Sequence, residues 1–229
     1  STRLPPTTNL RHNPSIPLRM KGSFLMGLGR CSPLLMLLLV LLISPAASKV
    51  LYVSQSGDGS LGASWPTAFN SIVDAITASA SGDDIWVAAG TYYEAIQLKP
   101  GVFLYGGFVG EASETRLSQR DWKAHETIID ATGLNATAVI GASQTLVDGF
   151  TVRNAVKGGG FGDDGGGFRC VERSDMWIRN CEIYGNTVYC PDVSIACGAG
   201  GGIYIRDSKV MIENCIFHDN VAVGNGGGV

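Results

Sequence analysis

The chain states one phrase three times in its last third: a short apolar strand, a residue tolerant of positive φ, a second strand, then three consecutive glycines. The first copy runs from Leu146 through Gly149 to Val152 and closes on Gly165-Gly166-Gly167-Phe168. The second runs from Trp177 through Asn180-Cys181 to Asn186 and closes on Gly200-Gly201-Gly202-Ile203. The third runs from Met211 through Asn214-Cys215 to Asn220 and closes on Gly226-Gly227-Gly228-Val229. Between the last two copies Asn180 and Asn214, Cys181 and Cys215, Ile183 and Phe217, and Asn186 and Asn220 recur at an interval of 34 residues. Repetition at such a period defines a solenoid, in which no single unit buries its own core.

Gly149 holds the place of Asn180 in the first copy. Glycine and asparagine share a low cost of entering the left-handed backbone region, so this position reads as a sharp bend between two strands of one coil. Stacked coils then set Asn180 over Asn214, where their amides can form a hydrogen-bonded ladder. Around the bend Ile178, Cys181 and Ile183 point one way and Arg179, Glu182 and Tyr184 the other, with Ile212, Cys215 and Phe217 repeating the inward set. That is the period-two pattern of strands with one buried face. Each glycine triplet reads as a tight corner where a Cβ would strike the neighbouring coil. Strands this short, at a repeat too short for crossover helices, imply an all-β parallel β-helix with coils about 4.8 Å apart. A β-sandwich has no reason to repeat an Asn-Cys pair in register.

These repeats resemble those of the right-handed parallel β-helix proteins of the pectin-lyase-like superfamily, over residues 50 to 229. Gly82-Asp83-Asp84-Ile85-Trp86-Val87 through Tyr92 resembles the first-coil phrase of the same superfamily. Phe217-x-x-Asn220 and Gly227-Gly228-Val229 are similar to the FxxN and GGA[ILV] repeats of polymorphic outer-membrane proteins, although no alanine follows the paired glycines. The resemblance implies right-handed coiling and a secreted bacterial protein.

Upstream of the repeats, Phe69, Ile72, Val73, Ile76 and Ala80 fall at helical spacing, with Ser71 and Asp74 placed to help cap. One amphipathic helix there would cover the open end of the solenoid. Residues 1–19 carry four prolines, have no apolar periodicity and precede Met20, and are set aside as a read-through or extraneous segment. Residues 20–48 read as a secretory signal: Lys21 and Arg30, an apolar stretch from Leu34 to Ile43, and a small-residue cleavage site at Ala46-Ala47-Ser48. Ten apolar residues are too few to span a bilayer, so no transmembrane helix is expected in the mature chain. Residues 49–229 form the β-helix domain, and Val229 falls where a fourth repeat would begin, so a longer parent protein is expected.

Without the first 48 residues the chain holds 12 basic and 20 acidic side chains. An acidic body with no basic stripe argues against nucleic acid as a partner. Cys170, Cys181 and Cys215 fall on inward positions and read as small core hydrophobes. Cys190 and Cys197 flank a loop that interrupts the second copy, and in an oxidising compartment a disulfide between them would staple it.

No hydrolase or metal signature stands out. The mature chain has two histidines, His125 and His218, without a companion motif, and His218 beside Asp219 reads as a solvated surface residue. Gly159 to Asp164 matches the first six positions of the calcium-binding GGxGxDxUx nonapeptide, but Gly166 stands where a large apolar residue is required. Ca2+ at Asp163 and Asp164 is therefore the one metal expectation, against a plain glycine-rich loop, and no cofactor is expected. The candidate ligand face is Arg169, Trp177, Tyr204 and Arg206, outward side chains suited to a polysaccharide or a cell-surface partner. Arg120-Asp121-Trp122 reads as packing its loop onto the side of the coil. The favoured function is a non-catalytic, adhesin-like or glycan-contacting rod on a bacterial surface. The alternative is a pectate-lyase-like polysaccharide lyase or hydrolase, for which the repeats show no cluster of three carboxylates facing a lone base.

Overall fold

A computed structural model describes residues 47–158, 164–190, 198–224 and 226–228 of the chain. It opens with strand β1 (Val50–Val53) and helix α1 (Ile72–Ala78). The first coil comprises β2 (Asp84–Ala88), β3 (Gly90–Tyr92) and β4 (Ile96–Gln97); the second comprises β5 (Phe103–Phe108), β6 (Thr127–Asp130) and β7 (Val139–Ile140). The third gains a strand: β8 (Thr145–Asp148), β9 (Thr151–Arg153), β10 (Val156–Gly158) and β11 (Phe168–Val171). The fourth repeats it with β12 (Met176–Arg179), β13 (Glu182–Tyr184), β14 (Thr187–Tyr189) and β15 (Ile203–Arg206). The fifth holds β16 (Val210–Glu213), β17 (Ile216–His218) and β18 (Val221–Ala222).

Corresponding strands stack in parallel into sheets that run along the solenoid. The first sheet orders β1-β2-β5-β8-β12-β16, the second β3-β6-β9-β13-β17, the third β4-β7-β11-β15, and a narrow fourth β10-β14-β18. Met176 pairs with Thr145 on one side and Val210 on the other, so the sequence interval of 34 is the length of one coil. The inward column Leu51, Ile85, Leu104, Val147 and Ile178 is buried, as are Cys181 and Ile183 around the bend. Each such aliphatic side chain contributes about 1.5–3 kcal/mol on burial.

The bends take the form the sequence implies. Gly149, Asn180 and Asn214 all have positive φ, at 83°, 52° and 52°. Asn214 Nδ2 donates to Asn180 Oδ1 (3.4 Å), and Asn180 Nδ2 donates to Asp148 Oδ1 (2.7 Å), so the ladder ends on a carboxylate. The glycine corners stack backbone on backbone: Gly166 and Gly167 N–H donate to the carbonyls of Gly200 and Gly201. A Cβ on Gly167 would lie 2.5 Å from the Gly202 carbonyl oxygen, which is why no other residue fits.

A second ladder runs at the next corner, inside the coil. The fully buried Asn186 donates to the Val152 carbonyl (3.1 Å) and to Asn220 Oδ1 (3.0 Å), while its own oxygen accepts from Ala155 N–H (3.0 Å). Here the amide replaces backbone partners that the turn leaves without a mate.

Helix α1 seats Ile72, Ala75 and Ile76 in the same core as the coils and so plugs their first end. It is shorter than the helical spacing implied, because Phe69 instead bridges to Val53 as extended chain. Ser71 is its N-cap, but most of the capping comes from Glu94. That carboxylate accepts from the N–H groups of Ile72 (3.0 Å) and Val73 (2.9 Å) and from the Ser71 hydroxyl (3.0 Å).

Over the first coils the outer face of the first sheet is covered. Trp65, Trp86 and Phe108 form a cluster there, with Trp86 and Phe108 stacked at 4.8 Å. Trp65 Nε1 donates to the Glu114 carbonyl (3.0 Å), joining the two loops that lie over this face. Beyond them, from Phe103 onward, the face opens.

Candidate functional site

Along the open part of the first sheet two outward columns run side by side. The first places Phe103, Leu146, Trp177 and Met211 in register. Leu146 is buried, but Trp177 is 49% and Met211 62% exposed, and the indole Nε1 donates to Met211 Sδ (2.8 Å). Trp177 stands as a ridge between two hollows. One, of about 490 Å³, is also lined by Phe103, Gln144, Asp175 and Lys209. The other, of about 520 Å³, is also lined by Arg179, Ile212 and Glu213.

The second column places Tyr105, Asp148, Arg179 and Glu213 in register. Asp148 is sealed from solvent and receives Arg120 Nη2 at 2.7 Å, Arg179 Nη2 at 3.1 Å and Asn180 Nδ2 at 2.7 Å. Arg120 also donates to the Gly106 carbonyl (3.1 Å) and lies over the Tyr105 ring, whose phenol burial pushes up. A carboxylate held by two guanidiniums has no free lone pair aimed at a substrate, so this cluster fastens and does not react.

The same cluster explains the Arg120-Asp121-Trp122 phrase. β5 carries a bulge at Gly106-Gly107, and Asp121 N–H donates to the Gly107 carbonyl (2.7 Å). A Cβ on Gly107 would lie 2.5 Å from Trp122 Cα, so the glycine lets the strap lie flat on the coil.

Of the ligand-face candidates, Arg169 and Tyr204 pair directly on the third sheet, and Arg206 lies two positions along the same strand as Tyr204. Trp177 does not join them. Glu172 and Arg173 both take positive φ and turn the chain from the third sheet onto the first. Arg169 instead lines a separate hollow with Gln97, Asn135 and Lys157.

Asp164 is buried and its Oδ1 accepts from Ala199 N–H (2.9 Å), a bond between neighbouring coils; Asp163 lies outside the described residues. Among the described residues no group of three or more His, Cys, Asp and Glu is placed to hold a metal ion. Cys190 is disulfide-bonded, and Cys197 lies outside the described residues. Cys170, Cys181 and Cys215 are free thiols, the first two buried.

One cluster carried no recognisable sequence signal. His218 Nδ1 meets Asp219 Oδ2 at 2.9 Å and its Nε2 meets Glu182 Oε1 at 3.0 Å, while the ring stacks on Tyr184 at 4.8 Å. The two carboxylates, Asp219 first, raise the affinity of the imidazole for its proton. Glu182 arrives 36 residues earlier, and only the coil length, once known, brings it beside His218.

No helix among the described residues is long and apolar enough to cross a membrane. No curated protein and no solved structure matches the chain. A family model described as a right-handed β-helix region matches residues 114–228. Its span takes in the last part of the strap and every glycine corner, and with the parallel coils it gives the winding its hand: the chain belongs to the right-handed β-helix family.

Proposed function

We propose that this protein is an exported, non-catalytic β-helix rod that contacts glycans at a bacterial surface. The observation that carries the reading is the Trp177 ridge. An exposed indole face between two hollows, with Lys209 and Asp175 on one side and Arg179 and Glu213 on the other, offers an apolar platform beside hydrogen-bonding groups. A pyranose ring presents the same alternation of C–H face and hydroxyl rim. The disulfide at Cys190 supports residence in an oxidising compartment, in keeping with residues 20–48 as a leader and Cys197 as the partner cysteine.

The test is a screen of neutral and acidic polysaccharides by tryptophan fluorescence, repeated on Trp177→Ala. Saturable quenching that the variant loses supports the reading. Absence of binding to every polymer, or binding that Trp177→Ala leaves unchanged, ends it.

One observation favours the enzymatic alternative. Glu126 and Glu182 line a common hollow of about 300 Å³ with Lys123, and paired carboxylates are the usual apparatus of glycoside hydrolysis. Against it, Glu126 is bonded to Thr151 and Glu182 to His218. Release of reducing ends, or a rise in ultraviolet absorbance from unsaturated uronates, would establish that alternative in place of the binding role.

A further inference from the structure

Cys181 and Cys215 occupy the same place in consecutive coils, one residue past the stacked asparagines. The backbone fixes them there: Ile216 N–H donates to the Cys181 carbonyl (3.0 Å), and Glu182 pairs with Ile216. Parallel neighbours in register lie about 4.8 Å apart, inside the Cα separation of about 4.4–6.8 Å that a disulfide spans. Their sulfurs are oriented alike, Cys181 Sγ 3.0 Å from the Arg179 carbonyl and Cys215 Sγ 3.3 Å from the Glu213 carbonyl.

We propose that Cys181 and Cys215 are a redox-active dithiol that closes to a disulfide between the fourth and fifth coils by exchange with a low-molecular-weight disulfide. The reagent has a way in, because Cys181 lines the open hollow at this bend with Gly149, Asn180 and Asn214. The two thiols also divide the work. Cys215 is only partly buried, and the Cys181 thiol beside it brings it down to about 7, so it supplies the attacking thiolate. Cys181 is buried and burial holds its proton firmly, which suits the second, intramolecular step. In the first step the Cys215 thiolate bonds to one sulfur of the reagent and the other sulfur leaves as a thiolate. In the second, Cys181 gives up its proton and displaces the remaining reagent thiolate from Cys215. Two protein thiols are oxidised and one reagent disulfide is reduced to two thiols.

This proposal does not depend on the glycan reading. Its test is incubation of the folded chain, free thiols intact, with oxidised glutathione, followed by acid quench and peptide mapping. The expected product is a cross-linked peptide pair containing Cys181 and Cys215. Cys170, buried and with its thiol pushed up to about 12, should remain unmodified as an internal control. Cys181→Ser should stall with glutathione held on Cys215, and Cys215→Ser should leave Cys181 unmodified. A wild-type chain that accumulates glutathione on Cys215 without the cross-link would overturn the proposal, as would one in which neither thiol reacts. The wild-type map is decisive without either variant folding.

Discussion

The Arg120 guanidinium reaches the Asp148 carboxylate at 2.7 Å, 28 residues further along the chain and one coil further along the solenoid. It also holds the Gly106 carbonyl of the coil before. A loop with no part in the repeat thereby ties two coils together at a point closed to water.

Removing either partner should therefore cost stability, but unequally. Arg120→Ala leaves Asp148 with Arg179 and Asn180, and the expected loss is about 2 kcal/mol. Asp148→Ala leaves two arginines facing each other and should cost about 3–5 kcal/mol, the range for breaking a buried pair. Urea unfolding midpoints measure both, and equal losses would show that Arg179 and Asn180 do not share the load.

The glycine corners should be sensitive in proportion to what lies over them. Gly167→Ala drives a methyl against the Gly202 carbonyl and should destabilise by about 1–3 kcal/mol. Gly228→Ala meets nothing within 4 Å and should be close to neutral. Thermal unfolding of the pair separates crowding from any general intolerance of side chains at these positions.

The two asparagine ladders should differ as well. Asn186→Leu strips partners from Ala155 N–H, the Val152 carbonyl and Asn220 in a place with no water, and about 2–4 kcal/mol should be lost. Asn214→Ala removes one long, exposed bond and should cost less than about 0.5 kcal/mol. Hydrogen exchange at Ala155 should rise sharply in the first variant alone.

His218 gives the last coil a pH response. Its proton is held more tightly in the folded chain, by Asp219 and then Glu182, so the folded pKa lies above the ordinary value of 6.5. The contribution is complete below that ordinary value and fades as pH rises through the folded one. Titration of the imidazole by NMR should give a midpoint above 6.5, and Glu182→Gln should move it down. A midpoint at or below 6.5 in the wild-type chain would mean that the carboxylates do not hold the ring.

The fold was legible because its rules are local and recur. The Asn180–Asn214 bend and the Gly200 and Gly226 corners each repeat one residue type at one interval, and stacking turned that interval into register. What recurs in geometry but not in residue type stayed hidden. The corner taken by Asn154, Gly185 and Asp219 has positive φ in every coil, yet three different residues fill it. Contacts from outside the repeat were also silent: Glu94 caps a helix over 20 residues behind it, and Trp65, Trp86 and Phe108 meet from three unrelated segments. For the site, alternation told outward from inward but not which sheet an outward residue sits on. Hence Arg169 and Tyr204 were placed together, while Trp177 belonged round the corner with Phe103 and Met211.

The strap has a mechanical meaning for a rod. Hydrogen bonds between coils lie along the rod's length, so a pull on its far end peels coils away one after another at low force. Arg120 bonds to two successive coils at once. A rupture travelling down the rod must break those contacts together before it can pass, which makes the strap a ratchet stop that shields the helix-plugged end from load borne by the repeats.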